Sequence, residues 1–315
     1  MRFLDALNGS NRDVPPVWLM RQAGRYLPEY QALRSRYSLR ELFFTPKLAA
    51  QVTLQPIARF GFDAAILFSD ITAIAPAMGF SLQFDEGPKV WPLATPDNWR
   101  SLKQDLGALD PIAEAAFLAK TQLDVPLIGF CGGPFTIATY FTEKTWRGDD
   151  FAAFLDWIAD MCILSLQRQI EAGVDAVQVF DSWANLLSDE EFEKYSLKPL
   201  KKIVDSVNKP VILFMRGSAK RAKLLAALKP AAISIDWEKP LLEVRQQVKC
   251  PLQGNLNPDL LFAPIEEIRS EARLLLDSMK GDPAFIVNLG HGVKPNTPLE
   301  AVEALIAEVR KKTRT

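Results

Sequence analysis

The sequence predicts an α/β fold, a single (β/α)8 TIM-type barrel with residues 1–315 forming one domain. Three observations carry that prediction. Short, continuously apolar runs recur along the chain, each is followed by a stretch of helical length, and seven or eight such pairs fit into 315 residues, a common size for one barrel. Continuous apolarity marks strands covered on both faces, as in a parallel sheet wrapped in helices. No linker or low-complexity stretch divides the chain, and neither G-x-G-x-x-G nor G-x-x-x-x-G-K-[ST] occurs, which argues against an open nucleotide-binding sheet.

In chain order, PPVWLM (15–20) is the weakest strand candidate. DAAILF (63–68), VPLIGF (125–130), DAVQVF (175–180), PVILFM (210–215), AAISID (231–236), CPLQGN (250–255) and AFIVNLG (284–290) follow. Between them the helix starts are marked. Thr45-Pro46, Thr95-Pro96 and Thr297-Pro298 each offer an N-cap followed by proline at the first helical position, and Ser188 to Glu191 reads as a capping box. Alternating strand and helix means βαβ units.

In such a barrel the chemistry lies at the C-terminal ends of the strands. The residues there are Ser69-Asp70, Cys131-Gly-Gly-Pro with Tyr140 further on, Asp181-Ser182, Arg216-Gly217, Asp236-Trp237, Asn255 and His291, the sole histidine. The whole chain is nearly neutral, with 37 Lys+Arg against 38 Asp+Glu, so a dedicated nucleic-acid binder is not expected. Residues 1–60 depart from that balance, with nine basic and four acidic side chains, and the terminal RKKTRT reads as a solvated basic helix end. No run of 18 apolar residues suggests a membrane span, and the first residues lack a signal-peptide core. Three scattered cysteines fit a reduced, cytoplasmic protein.

Several constellations have two readings. On a helix, Arg21 and Arg25 would share a face, with Gly24 between them letting a ligand approach; they form either a clamp for carboxylates or phosphates, or a pair of surface cations in ion pairs. Asp70 either meets ligand N–H groups or a cation, or serves as a helix N-cap or as a structural partner of an arginine. His291, in LGHGVKPNTP, is either a structural hydrogen-bonder or a site residue. Cys131 is either a reactive thiol or a small buried residue. One histidine and three dispersed cysteines predict no metal site.

PVWLMRQAGRYLPEY (16–30) closely resembles the N-terminal signature of the uroporphyrinogen decarboxylase family, and LIGFCGGPFTIATY (127–140) resembles its second signature. TLQPIARFGFDAAILFSDI (53–71), QVFDSWANLLS (178–188), LQGNLNP (252–258) and NLGHGVKPNTPLE (288–300) are similar to its other characteristic stretches, in order along nearly the whole chain. The resemblance implies a homodimeric barrel of tetrapyrrole (heme) biosynthesis. Such an enzyme removes CO2 from the four acetate arms of uroporphyrinogen, giving coproporphyrinogen, with no cofactor and no metal. It implies that Arg21 and Arg25 bind substrate carboxylates, with Gln22, Ala23 and Gly24 lining the same loop. It implies further that Asp70 accepts hydrogen bonds from the pyrrole N–H groups, and that Tyr140, Ser182 and His291 contact the acetate and propionate arms. The first proton comes either from Arg21 or from a water that it holds. Two segments are shorter than the family's usual pattern, the one after Tyr140 (141–154) and 209–223. The alternatives are a zinc-dependent corrinoid or thiol methyltransferase of the same superfamily, whose ligands are missing from the matching positions, and a non-catalytic tetrapyrrole-binding barrel.

Overall fold

The computed structural model describes residues 1–85, 87–142 and 146–311. Part of the short segment after Tyr140 and the last four residues of the basic end therefore lie outside the described residues.

Among the described residues nine strands form: β1 (Ala65–Ile66), β2 (Ser81–Phe84), β3 (Pro88–Trp91), β4 (Leu127–Gly132), β5 (Ala176–Phe180), β6 (Val211–Phe214), β7 (Ala232–Ser234), β8 (Leu252–Leu256) and β9 (Phe285–Leu289). β1 and β4 to β9 make one parallel sheet in sequential order, and β2 and β3 pair as a separate antiparallel hairpin between β1 and β4. The strands of the large sheet are buried nearly throughout, as their unbroken apolar runs require. Helices follow them around the outside, among them Asp149–Glu171 after β4, Lys198–Ser206 after β5, Ser218–Ala227 after β6, Ile265–Ser278 after β8 and Leu299–Val309 after β9.

PPVWLM supplies the eighth stave, although it forms no ladder. Val17 bridges Val287 in parallel, Trp18 N–H donates to the Val287 carbonyl, and Val287 N–H donates to that of Pro16. On the other side Asp63 N–H donates to the Val17 carbonyl, and Val17 N–H donates to Asp63 Oδ2 at 2.9 Å. The stave thus closes the sheet between β9 and β1 into the expected (β/α)8 barrel.

Inside, buried polar side chains satisfy one another. Trp18 Nε1 donates to Gln253 Oε1 at 2.9 Å. Gln253 Nε2 donates to Gln178 Oε1 and to Ser234 Oγ, and Gln178 Nε2 reaches Met20 Sδ. Four staves are joined by this network beneath the mouth of the barrel.

Several local expectations need correction. Pro46 does open the helix Pro46–Phe60, but the Thr45 side chain makes no cap bond. Thr95-Pro96 opens no α-helix; Asn98 Oδ1 accepts the Thr95 N–H and a single turn, Trp99–Ser101, follows. Thr297 turns its hydroxyl back to the Lys294 carbonyl, leaving Pro298 as the N-cap. The Ser188–Glu191 capping box forms, and so does one at Ser38–Glu41. Arg21 and Arg25 lie on no helix. The chain turns through residues 21–27, Arg21 has a φ of 59°, and the next helix begins at Pro28.

Candidate functional site

Loops from the strand ends assemble the site. The turn after the first stave presents Arg21, whose aliphatic stem lies flat on the loop after β9. A Cβ on Gly292 would stand 2.4 Å from Arg21 Cδ and 2.7 Å from Cγ, so only glycine permits this contact. Val293 N–H donates to the Met20 carbonyl and ties the two loops together. Arg21 and Arg25 are both exposed. Among the described residues no ion pair or hydrogen bond ties the Arg25 side chain to the other site residues; its charge acts on Tyr30. No helical turn aligns the two arginines.

Gln22 is fully buried, with its amide accepting from Leu19 N–H and donating to the Ala64 carbonyl, so its side chain braces the turn from below. Tyr26 Oη donates to the Gln22 carbonyl at 2.7 Å. Ala23 and Gly24 are half-buried on the turn itself.

Asp70 follows β1 and is half-buried. Its Oδ1 accepts from Thr72 N at 2.8 Å and from Thr72 Oγ1 at 2.5 Å. Burial pushes its carboxyl above the ordinary range, while the Thr72 bonds and the Arg21 charge act the other way.

His291 is half-buried edge-on to Phe214, with ring centroids 5.6 Å apart. Its Nδ1 accepts Gly292 N–H at 2.8 Å, which leaves the ring proton on Nε2. Burial, then the charges of Arg21, Arg216 and Lys294, lower its pKa to about 4. His291 is therefore neutral at neutral pH and offers Nε2–H as a donor.

The far wall is built around Asp181, at the end of β5. This carboxylate is buried and accepts from Thr136 N at 3.0 Å, Thr136 Oγ1 at 2.8 Å and Ser196 Oγ at 2.6 Å. A Cβ at Gly133 would lie 2.4 Å from Asp181 Cβ, so this approach also requires glycine. Thr136 Oγ1 accepts Trp183 N–H, and Trp183 Nε1 donates to Tyr140 Oη at 3.3 Å. Tyr140 on the helix Pro134–Phe141 and Ser182 on the loop after β5 are thus held to one frame. Cys131 is buried in β4, the unreactive of its two readings.

Among the described residues no three His, Cys, Asp or Glu side chains converge as metal ligands. A cavity of about 400 Å³ lined by Trp99, Arg100 and Trp157, and one of about 410 Å³ lined by residues near Asn11 and Asp282, include none of the strand-end residues. The site is the open mouth of the barrel.

The family model described as uroporphyrinogen decarboxylase (URO-D) matches residues 1–312. The chain belongs to the uroporphyrinogen decarboxylase family. It is 45% identical to the uroporphyrinogen decarboxylase of Protochlamydia amoebophila, over 99% of this chain and 92% of that one. It is 41% identical to that of Chelativorans sp., over 98% of both chains. Among solved structures, a methyltransferase from Methanosarcina mazei superposes with a TM-score of 0.84 at 23% identity, over 98% of this chain and 97% of that one. At that identity the likeness speaks for the fold alone, and the family match does not favour the methyltransferase alternative.

Four residues at this candidate site were given no role from the sequence, although Asp181 and Arg216 were noted among the strand-end positions. Thr72 holds Asp70, Asp181 and Trp183 frame Tyr140, and Arg216 stands at the end of β6. Asp181 and Arg216 carried a signal, since both occupy strand-end positions; Thr72 and Trp183 carried none that a single sequence reveals.

Proposed function

We propose that this chain decarboxylates the four acetate arms of uroporphyrinogen III to methyl groups, releasing four CO2 and giving coproporphyrinogen III in heme biosynthesis. The observation that carries this reading is a carboxylate, Asp70, within the field of Arg21 at a barrel mouth where Arg21, Arg25 and Arg216 make no ion pair among the described residues. A flexible macrocycle with N–H groups at its centre and carboxylates at its rim complements that arrangement.

Loss of CO2 from a simple acetate would leave an unstabilised carbanion. Protonation of the pyrrole carbon bearing the acetate makes the ring an iminium cation, which takes up the electron pair as the C–C bond to CO2 breaks. A second proton then completes the methyl group, and the ring carbon gives up the first proton to restore the aromatic pyrrole, so that one proton is consumed for each CO2 released. Asp70 accepts hydrogen bonds from the pyrrole N–H groups and offsets the cationic ring, a preorganised electrostatic contribution. Arg21 binds an arm and holds a water that delivers the proton, because a guanidinium holds its own protons too tightly to be a good acid. Arg25, Tyr140, Ser182 and the Nε2–H of His291 bind further carboxylates, while Gln22, Ala23 and Gly24 shape the turn beneath them. The chain works as one domain, in the cytoplasm, as a homodimer.

Anaerobic incubation with chemically reduced uroporphyrinogen III, without added metal or cofactor, tests the reading. After oxidation, porphyrins with seven, six, five and four carboxylates should appear stepwise, and Asp70→Asn should abolish them. Binding without turnover, unaltered by Asp70→Asn, would instead identify a tetrapyrrole-binding barrel.

A further inference from the structure

Arg216 follows β6 and is exposed at the barrel mouth. Its guanidinium carbon lies 5.6 Å from the centroid of the Trp183 ring, the indole whose N–H reaches Tyr140. Such a shelf restricts the arm of an otherwise flexible side chain. Its charge, like that of Arg21, is felt at His291.

Lys294, the other cation acting on His291, is paired with Asp259. Asp236, at the end of β7, accepts the Glu238 N–H through Oδ1, and its Oδ2 is buried without a hydrogen-bond partner. Among the described residues Arg216 has no ion pair, yet it stands on an aromatic shelf inside the ring of strand-end loops. A permanently charged planar fork held in that way is suited to a carboxylate.

We propose that Arg216 is a substrate-binding residue that takes one carboxylate arm of the tetrapyrrole, on the Trp183 side of the cleft. The proposal rests on the decarboxylase reading for its ligand. It assigns the Trp183 side of the mouth to an arm and leaves the reacting ring to Asp70.

Two variants separate charge from packing. Arg216→Met keeps an apolar stem over Trp183 and removes the charge; Arg216→Lys keeps the charge and removes the planar fork. In initial-rate measurements with uroporphyrinogen III, Arg216→Met should raise KM about tenfold, as for the loss of one charged hydrogen bond, with kcat within about twofold. Arg216→Lys should fall between Arg216→Met and the wild type, and the thermal midpoints should stay unchanged. KM and kcat of Arg216→Met equal to wild type would overturn the proposal, as would a fall confined to kcat. If the wild type binds the porphyrinogen without turning it over, the decarboxylase reading fails by itself. Equilibrium dialysis of uroporphyrinogen III then decides on Arg216, a tenfold weaker Arg216→Met supporting the subsite and an equal one overturning it. No binding by the wild type would overturn both.

Discussion

His291 is the sole histidine of the chain, so its titration gives one unambiguous signal. Burial and three neighbouring cations lower its pKa from 6.5 to about 4. A histidine whose folded pKa is depressed takes its proton first in the unfolded chain, so stability is lost as pH falls from 6.5 toward about 4. NMR of the imidazole should show a midpoint near the lower value, with the ring proton on Nε2 at neutral pH. A saturating tetrapyrrole polycarboxylate should move that midpoint upward by placing negative charge beside the ring; a free-protein midpoint at or above 6.5 would contradict the environment described. Asp70 moves the opposite way, because burial raises its carboxyl and the Thr72 hydroxyl and N–H hold it down. If Asp70 acts as an anion, kcat/KM must fall on the acid side at a pH above the ordinary carboxylate range. Thr72→Val removes the shorter of the two bonds, and the acid limb should shift further up; an unmoved limb would mean that another group sets it.

At the level of elements, Asp181 joins the helix Pro134–Phe141 to the segment around Ser196 and fixes the loop carrying Ser182. Removing a buried carboxylate strands its donors, so Asp181→Ala should destabilise the fold by about 2–4 kcal/mol. Ser182→Ala, one residue away and half-buried, should leave the denaturation midpoint within about 0.5 kcal/mol of wild type and weaken substrate binding. Equal destabilisation by the two would remove the distinction between frame and contact. The same pair shows what the sequence made legible. Strand order was readable because each parallel strand is buried on both faces and writes its burial as an apolar run. Ser182 and Asp181 both stood out as strand-end positions, and the substrate contact of Ser182 is what the family resemblance implies. The role of Asp181 depends on Thr136 and Ser196, far away in sequence, and only folding brings them together. The Arg21–Arg25 spacing suggested a helix because i,i+4 is a helical relation, yet the backbone there turns with Arg21 at positive φ. Thr95 and Thr297 carried the same two-residue cap signal as Thr45 and spend their polar groups on local turns, so tertiary context outweighs a short motif.

Across the whole molecule, the barrel closes at a seam weaker than its ladders. β4 and β5 pair over five registered positions, whereas Val17 meets β9 through a single bridge and meets the start of β1 through Asp63 alone. That seam also sets the site, since one side leads to Arg21 and the other, through β1, to Asp70. The Asp63 carboxylate bonds Val17 N–H through Oδ2 and pairs with Arg2 through Oδ1 at 3.1 Å. Asp63→Ala should therefore loosen the closure locally, at about 1–3 kcal/mol for the orphaned amide, while the remaining strands hold the barrel together. Hydrogen exchange should speed up at Val17 and Trp18 and stay unchanged in β5 and β6. Because the folded population persists, any loss of kcat/KM beyond the unfolded fraction reports the altered spacing of Arg21 and Asp70. Faster exchange at the seam with unaltered kcat/KM would show that the two residues are positioned independently of the closure, by the Gly292 and Thr72 contacts alone.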